Sequence, residues 1–126
     1  MRLESRHELD ALVGTFGTDP EWHNKPSEDI LRGHEAIRQF YGDLFQGFPD
    51  FWVDIQERHV TAEAIVLEGI FGGTHTASWM GIPATGRKVA IPFCAVFTFD
   101  DQDKLKSEKA YYDRHAILLQ MGVIAA

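Results

Sequence analysis

A single cysteine, Cys94, stands in the whole chain, so no intrachain disulfide forms and the fold has to come from buried apolar surface. A lone thiol suits a reducing compartment, and a cytoplasmic location is expected. The longest apolar stretch, Val89 to Phe99, falls far short of the roughly 20 residues of a membrane span. Met1-Arg2-Leu3-Glu4-Ser5-Arg6-His7-Glu8 contains no apolar core of a signal peptide. Basic residues are few: 12 Lys and Arg stand against 19 Asp and Glu, a net charge of −7. Phosphate backbones and anionic lipids are bound by clustered cations, so neither nucleic acid nor a membrane is expected as partner. The six histidines (His7, His23, His34, His59, His75 and His115) include no pair at helical spacing on one face, and no metal site is expected. No phosphate-cradling glycine loop occurs, and Cys94 has no adjacent histidine to activate it. No cofactor is expected either.

What is present is enough for one domain spanning residues 1–126. The chain is 44% hydrophobic, and at 126 residues it can bury a core without a metal or a disulfide. Leu9, Leu12, Val13 and Phe16 sit at helical spacing and predict a helix from about Glu4 to Phe16. Thr18-Asp19-Pro20 reads as a turn, followed by short strands at Glu21–Asn24 and Glu28–Arg32. Ile37, Phe40, Tyr41, Leu44, Phe45 and Phe48 form one continuous apolar helix face, with Gly33 before it and Gly47 and Pro49 at its end. Beyond it the period changes to two. Phe51, Val53 and Ile55 alternate with Trp52, Asp54 and Gln56, and longer strands follow at about Ala64–His75, Lys88–Phe99 and Lys104–Tyr112. Pro92 predicts a bulge or an unpaired edge within its strand. Asp113 and Gly122 bracket a closing helix, Arg114–Met121. Helices followed by a meander of strands give an α+β fold with an antiparallel sheet.

Several segments in order carry a resemblance: Gly33-His34-Glu35-Ala36-Ile37, Phe48-Pro49-Asp50, Gly73-Thr74-His75-Thr76, Gly81 to Lys88, and Tyr111-Tyr112-Asp113-Arg114 running into Leu118 to Gly122. Over nearly its whole length the chain resembles the SnoaL-like polyketide cyclases, within the superfamily of nuclear transport factor 2 and the ketosteroid isomerases. The chain starts later along its first helix than is usual there. The resemblance implies a curved antiparallel sheet forming a cone, closed by helices around an apolar pocket, and usually a homodimer. It implies no single reaction, because this fold hosts cyclases, isomerases, dehydratases, epoxide hydrolases and proteins without chemistry. In its cyclases and epoxide hydrolases an acid–base aspartate lies on the last strand, three residues before the aspartate that opens the final helix. Here that position is Ala110, which cannot move a proton. The assisting positions on the preceding strand map to Cys94 and Val96, which do not replace the family's polar groups.

Other residues then become candidates. Glu108 shares a strand face with Ala110 and Tyr112; in an apolar pocket its carboxyl would have a raised pKa and serve as base or acid. The alternative for Glu108 is an ion pair with Lys88, Arg87 or Arg114. His75, in phase with Leu67, Gly69, Phe71 and Gly73, would polarise a carbonyl or else simply hold the 81–86 loop. Tyr112 would donate to a carbonyl oxygen or else pack as an aromatic. Asp113 reads as a helix cap. Trp22, His23, Trp79, Cys94, Val96 and Ala110 are the expected pocket wall, with Arg114 also near it. Three functions follow: an enzyme moving protons on a small apolar carbonyl compound, in an isomerisation, cyclisation or dehydration; a protein that holds such a molecule without chemistry; or an interaction module. On the strand Lys88–Phe99 both faces are apolar, with Ala90, Pro92, Cys94 and Val96 opposite Val89, Ile91, Phe93 and Ala95. Helices cover one face only, so a homodimer through the other is expected.

Overall fold

The computed structural model describes residues 15–125. Within them the chain runs β1 (Phe16–Asn24), β2 (Asp29–Arg32), α1 (His34–Gly47), β3 (Trp52–Val60), β4 (Ala64–Thr74), β5 (Lys88–Phe99), β6 (Leu105–Tyr112) and α2 (Arg114–Met121). These elements make a mixed α+β fold, a curved six-stranded sheet that does not close into a barrel, ordered β2-β1-β6-β5-β4-β3. The helix expected at Glu4–Phe16 lies outside the described residues except at its end, where Phe16 opens β1 instead. No helix among the described residues is long and apolar enough to cross a membrane.

The sheet departs from the expected wholly antiparallel one at a single ladder. The β3–β4–β5–β6 meander starts at the far edge and returns to β1, so β6 pairs with β1 in parallel while the other neighbours are antiparallel. This return sets Trp22 beside Glu108 and Asn24 beside Ala110. The turn expected at Thr18-Asp19-Pro20 is an irregularity within β1, where the register shifts between Phe16 and Glu21 and Asp19 takes φ 51°.

The curvature has local causes. In β3 the register with β4 shifts between Ile55 and Glu57, and such an extra residue bends a strand. Opposite the bend lies Gly69, where a Cβ would run into the Asp54 backbone, so only glycine lets the strands approach. Pro92 fits within β5 because Ala90, of the same phase, turns its N–H and C=O to the Gln120 side chain of α2, at 2.7 and 3.0 Å. Pro92 therefore points its missing donor to the same side, beyond Tyr112, where β6 pairing has ended.

Helix α1 lies over the concave face because its apolar stripe buries Ile37, Tyr41 and Phe45. Each large side chain so buried contributes roughly 1.5–3 kcal/mol. From Trp22 through Phe40, Tyr41, Phe45 and Phe51 to Phe71, neighbouring ring centroids lie 4.3–5.9 Å apart, a continuous aromatic path from β1 across α1 to β4. Asp113 caps α2 by accepting from the Ala116 N–H at 3.2 Å, and Gly122 ends it at φ 75°.

Candidate active site

Between α1, the concave sheet face and Trp79 lies an almost wholly apolar cavity. Its void, open mouth included, is about 720 Å³. The period-two reading of β6 is correct in phase: Glu108, Ala110 and Tyr112 all line this space. Glu108 is 6% exposed and accepts a hydrogen bond at 2.9 Å from the Tyr41 hydroxyl, itself carried into the cavity by the buried stripe of α1. Arg114 is engaged elsewhere, donating to Asp29 at 3.1 Å.

Tyr112 lies edge-on to Phe71 at 5.3 Å and also borders a second, shallow cleft that holds Asn24 and Arg114. Burial pushes its phenol pKa up, offset in part by the Arg114 charge, so the hydroxyl keeps its proton at neutral pH. Trp22 is 4% exposed and stacks near Phe40. Its indole N–H finds no hydrogen-bond partner among the described residues. A buried donor left unpaired costs about 1–3 kcal/mol.

The remaining expected pocket residues divide. Trp79 and Ala110 line the cavity, whereas His23, His75, Cys94 and Val96 do not. His23 turns to the outer face and meets Glu21 at 3.0 Å. In β5 the residue paired with Ala110 is Ala95, while Cys94 pairs with Tyr111 and Val96 with Lys109. Paired residues share a face, so Ala95 and Phe93 look inward and the two expected wall residues look out. Burial and the nearby Glu68 charge both raise the Cys94 pKa, which leaves the thiol protonated.

His75 keeps the phase of the inward face, but β4 ends at Thr74 and the chain turns away. The ring is fully buried, stacks on Phe48 at 5.3 Å, and accepts from the Thr85 N–H at Nδ1 over 3.2 Å. Its backbone adds bonds to Arg87 and Gly86 of 2.9 and 2.8 Å. Burial lowers its pKa, offset in part by the Ile82 backbone. The neutral ring fastens the loop.

Two features escape a reading by element. Tyr41 reads as one more apolar helix position, although a buried tyrosine hydroxyl usually finds a partner, which is the available signal. Across β3 and β4, Glu57, His59 and Glu68 cluster on the surface, with His59 Nε2 3.4 Å from Glu57 and 3.6 Å from Glu68. Helical spacing cannot reveal a cross-strand group.

Residues 2–121 match the sequence model of the SnoaL-like polyketide cyclases. The chain belongs to that family. No curated protein matches it. A protein described as a SnoaL-like polyketide cyclase from Jannaschia sp. CCS1 superposes with a TM-score of 0.80 at 22% identity, over 93% of this chain and 80% of that one. AclR from Streptomyces galilaeus, described as a hydroxylase, gives 0.85 at 15% identity over 98% and 90%. A Catenulispora acidiphila DSM 44928 protein with a ketosteroid isomerase-like fold, in complex with trimethylamine, gives 0.77 at 18% over 95% and 86%. At these identities the likeness is one of fold. Within this SnoaL-like chain, the position that the resemblance gives to the acid–base aspartate is a buried alanine on the cavity wall, with Glu108 two residues earlier on the same face.

Proposed function

We propose that this SnoaL-like protein transfers protons on a small apolar carbonyl compound, in an isomerisation, cyclisation or dehydration, with Glu108 as the base. The observation that supports this most is the buried Glu108 carboxyl on the wall of an apolar cavity, held by Tyr41 at 2.9 Å. Packing and a hydrogen bond fix its direction, which a proton-transfer group requires. In the step itself the Glu108 carboxylate takes a hydrogen from the carbon beside the carbonyl. The C–H electron pair becomes the C=C of the enolate, and the negative charge moves to the oxygen. Tyr112, protonated and on the same wall, is a candidate donor to that oxygen. His75 has no part in this reading, because it does not reach the cavity.

The chemistry is tested without knowing the natural substrate. Cyclic ketones from cyclopentanone to cyclooctanone are incubated with the protein in D2O, and deuterium at the carbon next to the carbonyl is followed by NMR. Faster incorporation than in buffer is expected with the wild type; a wild-type rate equal to buffer across the series contradicts the proposal. The replacement of the family's aspartate by Ala110 favours a second reading, a protein that holds its ligand without reaction. Binding of the same ketones with no exchange would select it. We further propose that the protein is a homodimer through the outer sheet face, which carries Trp52 and Tyr111 at 39% and 41% exposure.

A further inference from the structure

Among the described residues three buried side-chain nitrogens lack a hydrogen-bond partner, Trp22 Nε1, Asn24 Nδ2 and His75 Nε2, and only Trp22 belongs to the cavity lining. Trp22 pairs with Glu108 across the parallel β1–β6 ladder, so their side chains rise from neighbouring positions on the same face, one strand spacing of about 4.8 Å apart. The Tyr41 hydroxyl is already committed to Glu108. We infer that the Trp22 indole N–H donates to the ligand's oxygen in addition to the candidate Tyr112, and that the cavity selects an apolar ring or chain bearing one acceptor oxygen of the ketone or aldehyde class. Three observations combine here: an almost wholly apolar lining, a buried donor on one of its wall residues with no partner among the described residues, and a carboxyl as its strand neighbour. An apolar hydrocarbon would leave the donor unpaired, and a ligand carrying several hydroxyls would have too few partners in such a wall. A carbonyl oxygen on Trp22 brings the adjacent carbon toward Glu108. When that carbon loses its proton, the charge arriving on the oxygen strengthens the N–H bond, so the same contact serves binding and the transition state. This inference rests on the cavity being the substrate site, as the proposed function holds.

The test reads the donor directly. In protein carrying 15N-labelled tryptophan, each of Trp22, Trp52 and Trp79 gives one indole N–H signal, and Trp22→Phe identifies the first by its loss. Titration with cyclohexanone is expected to move the Trp22 signal downfield saturably, while methylenecyclohexane, of the same shape without the oxygen, gives no such downfield shift. In Trp22→Phe the ratio of cyclohexanone to methylenecyclohexane affinity is expected to fall about tenfold or more. A Trp22 signal that responds alike to both probes, or an affinity ratio unchanged by the substitution, overturns the inference. Should Trp22→Phe not fold, the comparison of the two probes on wild-type protein still decides. The downfield shift without deuterium exchange would retain the Trp22 site and remove the proposed reaction. Exchange with neither the shift nor any effect of Trp22→Phe would do the reverse.

Discussion

Glu108 and Tyr41 meet across 67 residues of sequence, and the pair shows what a single chain of letters can and cannot reveal. The phase of β6 was legible: alternation from Lys106 to Tyr112 turns Glu108 inward wherever Ala110 goes. Its partner was not, because a helix face is read by its apolar stripe and a tyrosine in that stripe looks like core. Nor does any residue type announce an unpaired donor, which is why Trp22 reads only as wall. Tyr41→Phe removes one of Glu108's hydrogen bonds on the wall of an apolar cavity. It is expected to lower stability by roughly 1–3 kcal/mol, read from urea unfolding. A loss under about 0.5 kcal/mol, within what a neutral surface change produces, would mean the bond has little weight.

Elements were the most legible scale, and their joints the least. Strand β5 is legible at its observed limits, Lys88–Phe99, as one long run of apolar residues. The inward set on it is Phe93 and Ala95, one residue away from Cys94 and Val96, to which the resemblance maps the assisting positions. A period of two makes that offset complete, since one step moves every side chain to the other face. His75 shows the complementary failure: its phase was right, but phase loses its meaning once the strand ends at Thr74. That histidine sets a pH dependence. Burial lowers its pKa in the folded chain below the unfolded value of about 6.5. Between the two values the unfolded chain holds a proton that the folded one does not. The stability from the neutral ring is therefore complete above about pH 6.5 and is lost as pH falls from there toward the folded pKa. The urea midpoint of the wild type is expected to drop more than that of His75→Gln between about pH 7.5 and pH 5. Equal drops would show that the ring does not titrate with unfolding.

At the scale of the molecule, the order of elements indicates an α+β fold and the family resemblance a cone, while neither indicates the parallel β1–β6 contact. That contact joins the beginning of the described chain to its end, with no local pattern to signal it, and it is the one that brings Trp22 to Glu108. The outer face of the same sheet carries the proposal of a dimer. Light scattering at micromolar concentration is expected to give twice the chain mass, and Tyr111→Glu, which puts a charge into the patch, is expected to give a folded monomer. A monomeric wild type would refute the proposal. For the account as a whole the decisive quantity is a ratio of rates: deuterium incorporation beside the ketone carbonyl by wild type against Glu108→Gln, both confirmed folded by near-ultraviolet circular dichroism. A positioned base contributes about 10²–10⁴-fold, so the account predicts a ratio of at least about 100, whereas a ratio near one would contradict it.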